Sequence, residues 1–269
     1  MSQGTYAGIH MLEDFLFGDI GITADAIADT APEWVGQVVV GGNDDALTLV
    51  TTVDEPGGIM SITNDTGTTD FGWAMYSAPL VPQDGAAVIE VRLKYTDISG
   101  TNFFVGFVET FPNTDPDNIV PYTIATETIS IANFGVTAGV FCDHNATNED
   151  FYFAAAQDAT GAAGVTLVSP AVGGGRTGVD LSGATGDNSW IVYRVEIEAD
   201  GTAFGYVGSV HTDAIGGGEA LALVGQTSRG ALDGSAVVFP VVLVDNNAGS
   251  AMTTEVDYYA IRGDRDWTV

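Results

Sequence analysis

The sequence predicts an all-β fold in which two sheets pack together as a sandwich or jelly roll. From Val35 onward, about a dozen short β-branched and aromatic runs alternate with clusters of Gly, Asp and Asn. Helical signal is confined to residues 11–17, a run too short to specify a helix. No segment recurs with a period of about 20–50 residues, which argues against solenoids and propellers. Evenly spaced strands and turns favour a sandwich over an α/β enzyme fold.

The clearest strand signal lies at Ala87–Tyr95. Apolar and charged residues alternate over the whole segment, which places Val88, Glu90, Arg92 and Lys94 on one face. The opposite face is apolar. This pattern predicts a sheet strand with one solvated face.

Two further segments carry strong signals. The run 190–198 also alternates, and it turns through an Asp-Gly pair into 203–207, which predicts a β-hairpin. The run 102–108 is largely apolar on both faces and predicts a strand buried on both sides.

The remaining predicted strands are shorter and less regular. They lie at 37–40, 47–51, 59–63, 72–76, 135–141, 151–155, 237–244 and 254–261. The first two are separated by a Gly- and Asp-rich turn and predict a hairpin. Long loops are predicted at 109–122 and 161–186, and a charged tail at 262–267.

One domain is expected, because all-β folds commonly run to about 200–250 residues as a single unit. We predict a single jelly-roll β-sandwich over residues 21–269 and an N-terminal arm over residues 1–20. The arm carries an apolar run that predicts docking to a neighbouring molecule, and capping of the chain's own sandwich is the alternative; the run comprises Leu12, Phe15, Leu16 and Phe17. Trp267, close to the C-terminus, is a second candidate for an intersubunit contact, whereas Trp73 and Trp190 lie in predicted strands, where a core role is favoured over stacking on a sugar.

The charge balance is the strongest compositional signal. Seven basic residues stand against 36 acidic ones, which gives a net charge of −29, and Lys94 is the sole lysine. Nucleic acid and anionic membranes are therefore excluded as partners, because both are bound through clusters of Lys and Arg. At about 1 M salt the Debye length falls to about 3 Å and self-repulsion is screened, so a halophilic source is expected. An ordinary acidic marine or extracellular protein is the alternative.

Cys142 is the only cysteine, so an internal disulfide is excluded and a small buried apolar residue is predicted. The first six residues lack the basic start and apolar core of a signal peptide. We therefore expect synthesis in a host cytoplasm and release by assembly and lysis, as for a virus component.

The order of elements from Glu13 to Ile261 resembles the concanavalin A-like (laminin G-like) jelly rolls of tailed-phage virion proteins. The segments that carry this resemblance are 12–16, 190–203 and 255–261. The resemblance implies a capsid decoration, turret or fibre protein on the virion surface, and the composition suggests a haloarchaeal host. It also implies a homo-oligomer, a trimer or pentamer, docked on a major capsid protein.

Two alternative functions remain open. The same sandwich occurs in lectins and adhesins, so a carbohydrate-binding or receptor-binding module on a virion or cell surface is the second hypothesis. A glycanase is the third, because two carboxylate pairs share a sheet face: Glu196 with Glu198, and Glu255 with Asp257. The first pair belongs to a Glu-Ile-Glu-Ala-Asp segment that falls into a turn immediately afterwards, and the second lacks a third carboxylate at the required spacing. No catalytic residue is therefore predicted.

One acidic loop is a candidate cation site. Asp143, Asn145 and Glu149 offer spaced oxygen ligands, as calcium loops do, although the glycine that gives such loops their sharp turn is missing. A bound structural calcium or an acidic loop without a cation are both consistent with this pattern, and no other cofactor is predicted. The histidines at 10, 144 and 211 are too scattered for a zinc site. Asn64 and Asn145 each begin an N-glycosylation triplet.

Overall fold

A computed structural model gives the arrangement of the chain. It describes residues 7–13, 39–41, 48–52, 59–63, 71–76, 79–96, 101–110, 122–125, 128–131, 135–142, 152–157, 190–209, 221–246 and 253–265.

The described residues contain sixteen strands and one short 3-10 helix, Pro82–Asp84. The strands are β1 (Ala7–Glu13), β2 (Val39–Gly41), β3 (Thr48–Thr52), β4 (Ile59–Thr63), β5 (Phe71–Tyr76), β6 (Ala87–Tyr95), β7 (Thr101–Val108), β8 (Tyr122–Ala125), β9 (Thr128–Ile131), β10 (Thr137–Cys142), β11 (Tyr152–Ala156), β12 (Trp190–Ile197), β13 (Ala203–Ser209), β14 (Ala222–Gln226), β15 (Phe239–Asn246) and β16 (Thr253–Arg265).

The strands form two main antiparallel sheets and one separate hairpin. An eight-stranded sheet has the order β14-β13-β12-β6-β16-β4-β3, and β1 also pairs with β16. A six-stranded sheet has the order β11-β10-β7-β15-β5-β2, and β8 pairs with β9 alone. In the six-stranded sheet, β7 and β10 lie against β6, β12 and β13 of the eight-stranded sheet. The all-β sandwich predicted from the sequence is confirmed.

Strand β6 shows how the sequence creates the core. Its burial alternates residue by residue, and its inward side chains Ile89, Val91 and Leu93 are fully buried. Each such apolar side chain contributes about 1.5–3 kcal/mol when it leaves water. The predicted solvated face of this strand is confirmed, because the residues between them are only half-buried.

Aromatic rings join the two sheets across the core. The ring of Phe103 in β7 lies 5.2 Å from that of Tyr95 and 4.9 Å from that of Tyr193, measured between centroids. Nearby, Gly205 accommodates the ring of Phe153, because a Cβ at that glycine would lie only 2.3 Å from a ring carbon. These contacts fix the sheets face to face at two separate points.

A hydrogen bond also crosses between the sheets. The hydroxyl of Tyr259 in β16 donates to the carbonyl of Pro240 in β15 over 2.9 Å, and both residues are buried. A buried tyrosine hydroxyl requires such a partner, since an unsatisfied polar group costs about 1–3 kcal/mol.

Among the side chains that the structure describes, those of β7 and β10 in the six-stranded sheet are buried on both faces. All eight residues of β7 and all six of β10 are buried, including Cys142. The predicted double-sided burial of residues 102–108 and the predicted apolar role of Cys142 are both confirmed.

Three local predictions need correction. The predicted hairpin of 37–40 with 47–51 is wrong: β2 pairs with β5 in one sheet, whereas β3 pairs with β4 in the other. The candidate helix at 11–17 is wrong for its first three residues, which belong to β1, because β16 supplies their backbone partners. The predicted charged tail starts within β16, which continues to Arg265.

The predicted N-terminal arm therefore includes a strand of the sandwich over Ala7–Glu13, and Leu12 lies opposite Ala260 of β16. Phe15, Leu16 and Phe17 lie outside the described residues. Docking of this segment to a neighbour stays a prediction.

Burial predicts an unusual response to alkaline pH. It raises the pKa of Tyr95, Tyr193 and Tyr259 well above the ordinary value of a tyrosine hydroxyl. A raised pKa in the folded state contributes stability that is complete below about pH 10 and is lost as pH rises toward the folded value. We expect these three residues to ionise only as the chain unfolds, seen by near-ultraviolet difference absorbance alongside circular dichroism.

A matched pair of variants separates the ionisation of buried tyrosines, which accompanies unfolding, from the ionisation of solvent-accessible tyrosines, which precedes it and is reversible. Tyr259→Phe should reduce the absorbance step that coincides with unfolding, whereas Tyr206→Phe, at a half-exposed position, should reduce the earlier, reversible step. Equal loss from the reversible step in both variants would contradict the buried placement of Tyr259.

Candidate functional site

The candidate site is the outer face of the eight-stranded sheet, which we define as the described side chains of β13, β12, β6 and β16 that point away from the core. Because side chains alternate along a strand, each of these strands sends one set inward and one set outward. The outward set comprises Phe204, Tyr206, Trp190, Val192, Arg194, Glu196, Val88, Glu90, Arg92, Lys94, Glu255, Asp257, Tyr258, Ala260 and Arg262.

Cross-strand ion pairs occupy the middle of this face. Arg92 donates to Asp257 over 2.7 Å. Lys94 forms an ion pair with Glu255, which lies directly opposite it in the register. Opposite charges on facing strands contribute about 0.2–1 kcal/mol each.

Arg194 extends the network to a third strand. Its guanidinium contacts Glu196 on its own strand, through a 2.6 Å hydrogen bond from Nε, and Glu90 of β6 at 3.5 Å. The side chains of these three residues are 16–35% exposed, so they are ordered but reachable from solvent.

A bulge in β16 adds a residue to the face. The register with β6 shifts between Val256 and Tyr258, so Asp257 and Tyr258 both point outward instead of alternating. The Tyr258 hydroxyl donates to a carboxylate oxygen of Glu90 over 2.9 Å. Without the bulge, one of these two side chains would point into the core.

Trp190 lies beside two cations at one end of the face. The Arg92 guanidinium carbon is 4.9 Å from the ring centroid and the Lys94 ammonium is 5.0 Å from it. Cation–π contacts of this kind contribute about 0.5–1 kcal/mol at exposed sites. They orient the long side chains of Arg92 and Lys94 and leave the indole half-buried rather than in the core.

An aromatic strip, which we define as Phe204 and Tyr206, borders the ion-pair network. Phe204 and Tyr206 are successive outward residues of β13, with near-parallel rings 6.4 Å apart at an interplanar angle of 23°. Leu223 of β14 pairs with Tyr206 in the register and is 43% exposed. Partial burial, and then the charge of Glu196, raise the pKa of Tyr206, so its hydroxyl is neutral at physiological pH.

The register aligns these groups in a row across five strands. Leu223, Tyr206, Arg194, Glu90 and Ala260 lie opposite one another in succession, from β14 to β16. Neighbouring strands lie about 4.8 Å apart, so this cross-strand row spans about 19 Å. It begins with apolar groups at the sheet edge and passes into paired charges at the sheet centre.

Three of the four carboxylates considered for hydrolysis are engaged in ion pairs. Glu196 contacts Arg194, Glu255 contacts Lys94 and Asp257 contacts Arg92, whereas Glu198 follows the end of β12 and is exposed. Retaining glycoside hydrolysis requires an acid and a nucleophile about 5 Å apart. The arrangement offers ordered hydrogen-bond donors and acceptors beside aromatic rings, which suits binding.

Most of the other predicted site residues lie outside the described ranges. They are Asp143, Asn145, Glu149, Trp267, His144, His211 and Asn64. Within the described ranges, no group of three or more His, Cys, Asp and Glu residues is placed to hold a metal ion. The same ranges contain no helix with the length and hydropathy needed to cross a membrane.

The aromatic part of the site was not predicted from the sequence. The predicted solvated face of β6 is confirmed, but the predicted core role of Trp190 is wrong, because Trp190 is half-buried opposite Lys94 on the outer face. The signal was available in β13, where Phe204 and Tyr206 alternate with small inward residues at 203 and 205.

Comparison with known proteins gives a likeness of fold. No family model and no curated protein matches the chain. Among solved structures, lectin I from Ulex europaeus, in complex with the methyl glycoside of α-L-fucose, has 10% identity, covers 95% of this chain and 97% of its own, and gives a TM-score of 0.45.

Two further structures are similar to the same degree. The lectin-like defence protein arcelin-5 from Phaseolus vulgaris has 9% identity, coverages of 98% and 100%, and a TM-score of 0.46. The carbohydrate recognition domain of Emp47p has 13% identity, coverages of 93% and 95%, and a TM-score of 0.44. The likeness is one of architecture alone.

The ion pairs predict a measurable energetic coupling. In a double-mutant cycle of Arg92→Gln and Asp257→Asn, followed by urea unfolding, we expect a coupling of about 0.5–1 kcal/mol at low salt, since both side chains are three-quarters buried. The coupling should fall in about 1 M salt, where charges are screened.

The control cycle is Arg229→Gln with Asp200→Asn. That pair joins two loops at 3.0 Å, but the Arg229 side chain is 84% exposed, so its coupling should be undetectable. Equal coupling in the two cycles would contradict the ordered network on the outer face.

Proposed function

We propose that this protein is a carbohydrate-binding β-sandwich that binds a glycan, without cleaving it, on the outer face of its eight-stranded sheet. The observation that carries this proposal is the cross-strand row, in which Tyr206 and exposed Leu223 lead directly into Arg194 and Glu90. Apolar and polar groups thus meet along one line on a solvent-facing surface.

The aromatic strip suits the apolar face of a sugar ring. A pyranose presents C–H groups on one side, and these pack against the negative face of an aromatic ring. Phe204 and Tyr206 lie side by side on β13 with near-parallel rings 6.4 Å apart, so both are available to one ligand. Residues on a sheet are also held in fixed positions, which lowers the entropic cost of binding.

The ion-pair network suits the hydroxyl groups of a sugar. Glu90 is held by both Arg194 and Tyr258, so its carboxylate is oriented before any ligand arrives. Carboxylates and guanidinium groups supply acceptors and donors, and hydrogen bonds to charged groups are stronger than those between neutral ones. One strand spacing is close to the length of one pyranose residue, so a short oligosaccharide matches the row.

Binding should depend on the aromatic strip. Once a glycan array has identified a binding oligosaccharide, Tyr206→Ala should weaken its Kd about tenfold by calorimetry, since truncation removes the stacking surface. Tyr152→Ala serves as the matched control, because Tyr152 is also half-buried but belongs to β11 of the other sheet. Unchanged affinity in Tyr206→Ala, or no glycan bound at all, would contradict the proposal.

The setting on a virion surface is a further part of the proposal, and it rests on the sequence resemblance alone. On that view the chain docks as a homo-oligomer on a major capsid protein and displays its outer face to a host glycan. Mass spectrometry of purified virus particles should detect the chain at a fixed ratio to the capsid protein. Its absence from particles would leave a cellular surface as the setting.

A further inference from the structure

We infer that the ligand of the outer face is an uncharged glycan, and that this face binds neither polyanionic nor polycationic polysaccharides. This inference rests on the proposed function and specifies the chemical class of the ligand. It follows from how charge is distributed between this face and the rest of the chain.

The outer face is close to electrically balanced over its described side chains. Four carboxylates lie on its strands, from Glu90, Glu196, Glu255 and Asp257, and four of the chain's seven basic residues lie there too: Arg92, Lys94, Arg194 and Arg262. These charges cancel, and exposed Glu198, which follows the end of β12 and whose charge acts on Tyr206, adds one further negative charge. The chain as a whole carries −29, so this face differs sharply from the average surface.

The balance is local as well as overall. Arg92, Lys94 and Arg194 each contact a carboxylate, and each of the four carboxylates contacts one of these cations. An incoming sulfate or uronate must therefore displace a carboxylate that is already in place on the sheet. An incoming amine must likewise displace a resident guanidinium or ammonium group.

The long-range field adds to the rejection of polyanions. The chain's net charge of −29 repels a polyanion, and this repulsion is strongest at low salt, because the Debye length is about 10 Å at about 0.1 M salt. A polycation is attracted to that acidic surface in general, but not to the aromatic strip in particular. A neutral glycan meets neither effect, and its affinity should not depend on salt.

The test measures binding of three probe classes by calorimetry at low salt and at about 1 M salt. The neutral probes are maltoheptaose, cellohexaose, laminarihexaose and mannohexaose; heparin and alginate oligosaccharides are the anionic probes, and chitosan hexamer is the cationic one. We expect a neutral probe to bind with a Kd that is the same at both salt concentrations and weaker in Tyr206→Ala.

The outcomes separate this inference from the proposed function. Binding of an anionic or cationic probe that depends on Tyr206 would overturn the inference and leave glycan binding intact. Binding of no probe in any class would overturn the proposed function itself. Chitosan binding that is lost in high salt and unchanged in Tyr206→Ala would agree with the inference, because it reports the general acidic surface.

A charge-conversion variant tests the physical cause. Glu90→Gln combined with Glu196→Gln removes both carboxylates that contact Arg194, while each amide keeps an acceptor oxygen, including one for Tyr258. Arg194 then becomes available to an anion. The variant should gain heparin-oligosaccharide affinity about tenfold over the wild type at low salt.

The matched control removes the same charge elsewhere. Asp84→Asn combined with Asp233→Asn makes the net charge less negative by the same two units, but Asp84 lies in the 3-10 helix and Asp233 in the neighbouring loop, away from the ion pairs of the face. If the control gains heparin affinity as strongly as the test variant, the overall charge and not the pairing on the face excludes anions, and the inference is overturned.

Discussion

The register of β6 between β12 and β16 is the constraint on which the rest of the structure depends. Because its residues alternate, one register places Ile89 and Leu93 in the core and brings Glu90, Arg92 and Lys94 opposite their charged partners. A shift of one residue would reverse both faces at once. The core and the candidate site are therefore specified by the same pairing, and neither can change without the other.

The shared register of the core and the site gives the outer face its chemical character. In a chain with few basic residues, four of the seven lie on the central strands, where Arg92, Lys94 and Arg194 each hold a carboxylate in a fixed position. The bulge at Val256–Tyr258 then directs two successive polar side chains to the same surface. The result is a surface of ordered but neutralised polar groups, and the aromatic strip of β13 supplies the contact area that such groups alone lack.

The local sequence pattern predicted the positions of the strands better than it predicted which strands pair with each other. Alternation was sufficient for β6 and for the β12–β13 hairpin, because a solvated face leaves a period of two in the sequence. It could not assign 37–40 and 47–51 to different sheets, and it missed β14, whose five residues do not alternate clearly. The outward direction of Arg92 was predictable, but its partner Asp257 lies 165 residues away and depends on a bulge that no local signal indicates.

The central claim is that the outer face of the eight-stranded sheet contacts the ligand, and nuclear magnetic resonance of aromatic side chains tests it most directly. Spectra of protein labelled in Phe, Tyr and Trp would be recorded during titration with the tightest-binding neutral oligosaccharide. The account predicts that signals of Phe204, Tyr206 and Trp190 shift, while those of buried Tyr95 and Phe103 stay in place. Shifts confined to residues away from this face would contradict it.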